Sequence, residues 1–339
     1  MARVLIAGLI AMVIAVAVGP QFIAWLRRQS IGQQIREEGP AGHVVKAGTP
    51  TMGGLLILVA ALVPALAVSL YTVPGITIIL ATVGCGLIGF ADDYLKVKRR
   101  RNLGLTARAK FLSQVLVAAI AGAILAYGLP HGYGFSPTLT FPFFKDLVVD
   151  LGLLYIPFVA FILVGSSNAV NLTDGLDGLA IGATLVAAAT YTIFSYVAGN
   201  SRLAGYLQVA YVPGVGEVAI FCAALVGAAL GFLWWNAHPA QVFMGDVGSL
   251  AIGAAIGGVA VLAKQEILLA LVGGLFVLEA LSVIIQVASF KMTGRRVFRM
   301  APLHHHFELQ GWAEPKIIVR FWILSILFAL LSLSTLKLR

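Results

Sequence analysis

Charge is scarce in this sequence. Asp, Glu, Lys and Arg make up only 11% of its 339 residues, against about 25% in soluble globular proteins, so a soluble fold is disfavoured. Cysteine is rarer still. Cys85 and Cys222 both fall inside apolar stretches and support neither a disulfide framework nor a thiolate metal site. The apolar runs also lack the in/out alternation of barrel strands, which disfavours a membrane β-barrel. What fills the chain instead is apolar residues, 60% of the total, with a mean hydropathy of +0.97. They recur in stretches of roughly 18 to 25 residues, the length a helix needs to cross about 30 Å of hydrocarbon. The fold class read from this is an all-α polytopic membrane protein, with residues 1–339 as a single integral domain.

Ten candidate spans follow, at 4–26, 52–71, 75–94, 111–129, 151–170, 178–198, 215–235, 247–263, 267–290 and 317–336. The first resembles a signal peptide but runs to Leu26 without a small-residue cleavage site, and is read as a retained helix. Ten spans put both termini on one side. Loops 27–51, 95–110, 171–177, 236–246 and 291–316 hold 16 of the 23 Lys and Arg, and the opposite set with both termini holds six. The positive-inside rule then expects the basic loops in the cytoplasm and both termini periplasmic, in an inner membrane. The net charge of +9 is accounted for by this asymmetry and by attraction to anionic lipid, without invoking nucleic acid. Glycines and prolines among aromatics in 130–150 suggest a short hairpin. No internal repeat is evident.

Five of the seven aspartates, Asp92, Asp93, Asp174, Asp177 and Asp246, fall at span ends on the basic side. Sidedness does not require this, because acids contribute little to the positive-inside rule. A divalent cation supplies a reason. GFADDYLK places Asp92 and Asp93 beside Lys96, with Arg108 and Lys110 following, a set suited to magnesium and phosphates together. The alternative is a pair of solvated end charges offset by lysines. SSNAVNLTDGLDGLA sets Asn171, Asp174 and Asp177 at near-helical spacing, with Gly175 and Gly178 permitting close ligand approach; helix capping and turn formation would explain the same residues. WWNAHPAQVFMGDVGS gathers Asn236, His238, Phe243 and Asp246, where Asp246 could equally cap a helix.

APLHHHFELQGW carries His304, His305 and His306, which cannot all point one way, so a zinc site from this run alone is disfavoured and one proton carrier or phosphate contact is favoured. Within the ninth span Glu279, Ser282 and Gln286 form a polar stripe. A membrane carboxylate costs about 2.5–3.5 kcal/mol, so interhelical hydrogen bonding is expected of Glu279 and Ser282, while Gln286 lies nearer the cytoplasm and could reach a ligand.

The segments KAGTPTMGG (46–54), GFADDYLK (89–96), NLTDGLDGLA (171–180), FMGDVGSL (243–250) and PLHHHFEL (302–309), in this order and all on one expected face, resemble the phospho-N-acetylmuramoyl-pentapeptide transferase family of the polyprenyl-phosphate N-acetylhexosamine-1-phosphate transferase superfamily. The resemblance covers nearly the whole chain. It implies transfer from UDP-N-acetylmuramoyl-pentapeptide to undecaprenyl phosphate, giving lipid I and UMP, with a ten-helix fold, Mg2+, a cytoplasmic active site and a homodimer. By motif it assigns Asp92 and Asp93 to the essential acidic pair, Asp246 to the metal and His304 to the essential histidine. Lys46, Thr51, Asn171, Asp174, Gly175 and Leu176 match positions around the nucleoside pocket, as do Asp177, Phe243 and Gln286. Lys96 and Lys110 match lysines near the phosphates, and Asn236, His305 and His306 are further substrate-binding candidates. The basic run 98–101 is richer than the family pattern. Two rivals remain: a sister enzyme using UDP-N-acetylglucosamine, and, from another class, a cation-coupled transporter. Transporters place their acids near the midplane, unlike these.

Overall fold

A computed structural model describes residues 1–29, 48–99, 103–127, 136–142 and 144–337. An apolar segment in lipid finds no water for its backbone N–H and C=O groups and closes them within a helix, and helices accordingly dominate. In chain order they are α1 (Ala2–Arg28), α2 (Gly54–Val68), α3 (Val73–Arg99) and α4 (Ala107–Tyr127), then strands β1 (Thr138–Phe141) and β2 (Phe144–Asp150). There follow α5 (Tyr155–Thr173), α6 (Leu179–Ala198), α7 (Ser201–Leu207), α8 (Val218–Asn236) and α9 (Gly245–Leu262). The chain continues with α10 (Leu269–Val272), α11 (Gly274–Thr293), α12 (Leu303–Glu308) and α13 (Glu314–Ser334).

Nine helices among the described residues are long and apolar enough to cross a membrane, not the ten expected. The exception is α2, whose 15 residues fall short of the ~20 needed to span. Its start is displaced because the backbone groups of Pro50, Gly53 and Gly54 pair with the segment before α9. Phe243 N donates to Pro50 O (2.7 Å), while Gly53 N and Gly54 N donate to Phe243 O and Met244 O (2.8 Å each). Met52 takes a left-handed conformation there, φ 71°, which a non-glycine side chain adopts only where its surroundings hold it. The ninth span also begins late, at Gly274, because α10 forms a separate short turn ahead of it.

Helix α9 is the hub, packed on α3, α5, α2 and α6 and buried along nearly its whole length. Helices in lipid gain little from apolar burial against one another and rely on close backbone approach through small residues. Gly54 of α2 and Gly248 of α9 lie so close that a Cβ on either would overlap the other's backbone. This contact fixes α2 across the first turn of α9, the turn that carries Asp246.

The expected hairpin is present, β1 pairing antiparallel with β2 from Thr138↔Asp150 to Phe141↔Phe144. It is tied down by a buried ion pair. Lys264 Nζ donates to Thr138 O (2.8 Å) and to the Tyr155 hydroxyl (3.0 Å), and that hydroxyl donates to Glu266 Oε1 (2.9 Å). Burial lowers the Lys264 pKa and raises that of Glu266, and each partner's charge partly offsets the effect on the other. Removing one member of a buried ion pair leaves the other uncompensated, at about 3–5 kcal/mol. Lys264→Met is therefore expected to lower the thermal unfolding midpoint in detergent, and adding Glu266→Gln should recover part of the loss; no recovery would show that the charge left behind is not what destabilises.

Candidate active site

The last two turns of α3 bring Asp92 and Asp93 to its end, both 3% exposed. Buried carboxylates require partners, and α3 supplies Lys96 one turn on. Lys96 Nζ lies 2.6 Å from Asp92 Oδ2, 3.3 Å from Asp93 Oδ1 and 3.0 Å from Asp246 Oδ2. Asp246 stands in the first turn of α9, where the helix dipole favours negative charge. Its Oδ2 also receives Lys110 Nζ of α4 at 2.6 Å, and its Oδ1 accepts from Asn171 Nδ2 of α5 at 2.8 Å. Backbone donors complete the set: Leu105 N gives to Asp92 Oδ1 (2.7 Å) and Val247 N to Asp93 Oδ2 (3.1 Å).

Asp92, Asp93 and Asp246 thus present carboxylate oxygens within 4.8 Å of one another. They fit a hard divalent cation on donor chemistry, being all oxygen and all anionic. The Lys96 ammonium already marks a point where positive charge meets one oxygen from each. Four helices converge on this cluster, which explains why no single sequence segment contains it.

A second group of residues adjoins it through the turn between α5 and α6. Asp174 follows the C-terminus of α5, and burial together with the carboxylates of Asp246, Asp93 and Asp177 pushes its pKa up to about 8. Asp177 Oδ2 accepts from Ala240 N (3.0 Å) and faces His238 Nδ1 (3.2 Å), while its N–H donates to Glu314 Oε1 of α13 (3.0 Å). Asn236 braces the same turn, its Oδ1 accepting from Gly178 N (3.1 Å) and its Nδ2 donating to Val242 O (2.9 Å). Leu176 and Thr51 are buried, and Phe243 is half-buried beside the 50–54 segment it pairs with.

The three histidines take separate hydrogen-bond partners, although the rings of His304 and His305 lie 4.2 Å apart. His304 is fully buried against Glu279, with Nδ1 3.0 Å from Oε2. His305 Nδ1 meets Glu308 (2.6 Å), and His306 bonds Gln310 (2.8 Å) and accepts from Arg299 N (3.1 Å). Gln286 holds backbone: its Oε1 accepts from Val297 N and Phe298 N, and its Nε2 donates to Phe298 O. Glu279 bonds between elements as expected, though to His304, whereas Ser282 Oγ bonds within its own helix to Glu279 O. Lys46 lies outside the described residues.

Sequence reasoning left out Ser249, which accepts from Asn171 Nδ2 at 2.8 Å, and Glu314, which has no motif around it. Ser249 could have been found from its place one turn after Asp246, on the same helix face; nothing local marks Glu314.

Residues 75–264 match the family model of glycosyl transferase family 4, and residues 46–58 match the phospho-N-acetylmuramoyl-pentapeptide-transferase signature 1. Relatives named phospho-N-acetylmuramoyl-pentapeptide-transferase are similar over more than nine-tenths of their own length. That of Oleidesulfovibrio alaskensis is 59% identical over 98% of this chain and 92% of its own. Those of Nitratidesulfovibrio vulgaris strain DP4 and Geobacter sp. strain M21 are 61% and 57% identical, over 97% and 99% of this chain and 91% and 93% of theirs.

Proposed function

The chain belongs to glycosyl transferase family 4 and, within it, to the phospho-N-acetylmuramoyl-pentapeptide transferases, and from that premise we propose where and how its transfer takes place. It is a multi-pass membrane enzyme that moves phospho-N-acetylmuramoyl-pentapeptide from UDP-N-acetylmuramoyl-pentapeptide to undecaprenyl phosphate, giving lipid I and UMP. The reaction centre is the carboxylate cluster at the ends of α3 and α9. One observation carries this assignment: three carboxylates from two helices share a single ammonium within 3.3 Å.

Transfer between two polyanions is limited by positioning and by charge. A lipid phosphate oxygen forms a bond to the sugar-linked phosphorus, the bond from that phosphorus to the bridging oxygen breaks, and UMP leaves with the electron pair. A phosphate monoester has its second pKa near ~6 and is mostly dianionic at neutral pH, so no strong base is needed; Asp92 or Asp93 orients the lipid phosphate and accepts its residual proton. Lys96 and Lys110 draw the diphosphate toward the cluster. Asp246, flanked by Asp92 and Asp93, would hold magnesium, which when bound supplies charge stabilisation to the diphosphate. Asn171 and Ser249 steady Asp246. The turn bearing Asp174, Gly175, Leu176 and Asp177, with Asn236, Phe243 and Thr51, forms the nucleoside pocket; His304 lies against it at Gly175, and Lys46, His305, His306 and Gln286 are assigned to substrate binding by their motifs alone. The acidic ends face the cytoplasm, in the inner membrane, and the enzyme works as a homodimer.

The test is UMP release by purified protein with undecaprenyl phosphate. UDP-N-acetylmuramoyl-pentapeptide with magnesium should release UMP at least about a hundredfold faster than UDP-N-acetylglucosamine, and chelation should stop it. Equal rates with both donors would shift the assignment to the sister enzyme, and full activity in chelator would remove the metal.

A further inference from the structure

We infer that Glu279 is a positioning residue for the transfer: it holds His304 as the Nδ1–H tautomer and so leaves Nε2 as a bare acceptor turned toward the turn that carries Asp174 and Asp177. The inference rests on the assignment of His304 to the reaction. Both residues are completely buried, and both Glu279 oxygens are spent on one partner. Oε1 accepts the His304 backbone N–H at 3.2 Å, and Oε2 lies 3.0 Å from the ring Nδ1. An ionised carboxylate can only accept, so the ring nitrogen facing it carries the proton, and in the neutral ring the other nitrogen then carries none. The backbone bond fixes where α12 begins and the ring bond fixes how its first histidine is turned, so position and tautomer are set by one side chain.

The other end of the ring is the unusual part. His304 Nε2 is buried and has no hydrogen-bond partner among the described residues. Leaving a buried polar atom unsatisfied is costly, and such atoms in native proteins call for a reason, catalysis among them. What Nε2 faces is Gly175: a Cβ there would overlap the imidazole. The glycine of the 174–178 turn is therefore what lets the turn lie against this nitrogen. An acceptor kept empty behind the turn that carries Asp174 is set to take an O–H or N–H donor when substrate occupies that turn. A ring protonated at Nε2 would instead present a second donor, and the site would lose its acceptor.

Glu279→Gln tests this with almost no change of shape. The amide has one acceptor where the carboxylate has two; with its oxygen on the His304 backbone N–H, its NH2 faces Nδ1 and drives the ring to Nε2–H. Swapping an orienting carboxylate for its amide beside a catalytic histidine lowers kcat by about 10⁴ where the tautomer matters fully. We expect kcat for UMP release to fall by at least about a hundredfold, with KM for UDP-N-acetylmuramoyl-pentapeptide changed by less than about threefold. His304→Gln should fall similarly, and the double variant should be no slower than His304→Gln alone, because Glu279 acts through His304. Ring ¹⁵N spectra of histidine-labelled enzyme, with His304→Gln identifying the signal, should show Nδ1–H in the wild type and Nε2–H in Glu279→Gln. Three results would each overturn the inference: a Glu279→Gln enzyme of near-normal kcat, losses that multiply in the double variant, or a wild-type ring protonated at Nε2. An active His304→Gln enzyme would instead remove His304 from the reaction, and the role of Glu279 with it, which separates failure of the parent assignment from failure of this one.

Discussion

Asp246→Asn should reduce UMP release by about a hundredfold to a thousandfold in kcat, the range seen when a preorganised group is removed from where transition-state charge develops. The substitution keeps the shape of the side chain and changes what it offers. Asp246 Oδ2 now receives two ammonium groups, Lys96 at 3.0 Å and Lys110 at 2.6 Å, while Oδ1 takes Asn171 at 2.8 Å. An amide can accept at one of these points only, and at the other it sets a second donor against a donor. The two lysines then lose the carboxylate that joins α3, α4 and α9, and the proposed cation loses one of three anionic ligands. Folding should survive, because the side chain is partly open and Asp92 and Asp93 still hold Lys96. The measurement is UMP release at saturating substrates across a magnesium titration. If excess magnesium restores activity, Asp246 is a minor ligand; activity within about tenfold of wild type at ordinary magnesium would remove it from the transition state.

The acidic cluster was legible because its members stand where neither lipid nor sidedness calls for them. Acids contribute little to the positive-inside rule, yet Asp92, Asp93 and Asp246 recur on one expected face. Which oxygen meets which ammonium was not legible, since that depends on how α3 crosses α9, and crossing is set by small residues such as Gly54 and Gly248 whose meaning lies in contacts far along the chain. The same limit explains the shortened second span. Hydropathy continues unbroken through Met52 and Gly53, but the hydrogen bonds of that segment go to Phe243 and Met244, and a pairing so distant leaves no local period to read. Glu279 shows both sides of the matter. Its charge within an apolar helix announced that it must have a partner; that the partner is the first of three histidines, 25 residues on across a non-helical connection, could not follow from helical spacing.

Gly89→Ala should damage catalysis more than it damages the fold. A Cβ at Gly89 would overlap the carbonyl of Asp246 and crowd the N–H of Val247. These are backbone atoms, which cannot swing aside as a side chain can, so α3 and α9 must part at that level. Gly89 stands one turn before Asp92 and Asp93, on the same helix face, so the parting falls at the proposed reaction centre. The Lys96–Asp246 contact at 3.0 Å and the Val247 N to Asp93 Oδ2 bond at 3.1 Å both bridge the two helices and both lengthen. Misplacement by about 1 Å can lower turnover roughly a hundredfold, whereas overpacking by one methyl group costs about 1–3 kcal/mol of stability. A control lies on the same helix. The atoms nearest a Cβ at Gly84 belong to the side chain of Val117 on α4, so Gly84→Ala should shift the unfolding midpoint to a comparable extent and leave kcat near wild type. If the two variants instead lose activity in proportion to their loss of stability, the distance between α3 and α9 is not what limits transfer; if Gly89→Ala alone fails as a catalyst while still folded, the two helices work as the jaws of one site, with a glycine setting the gap.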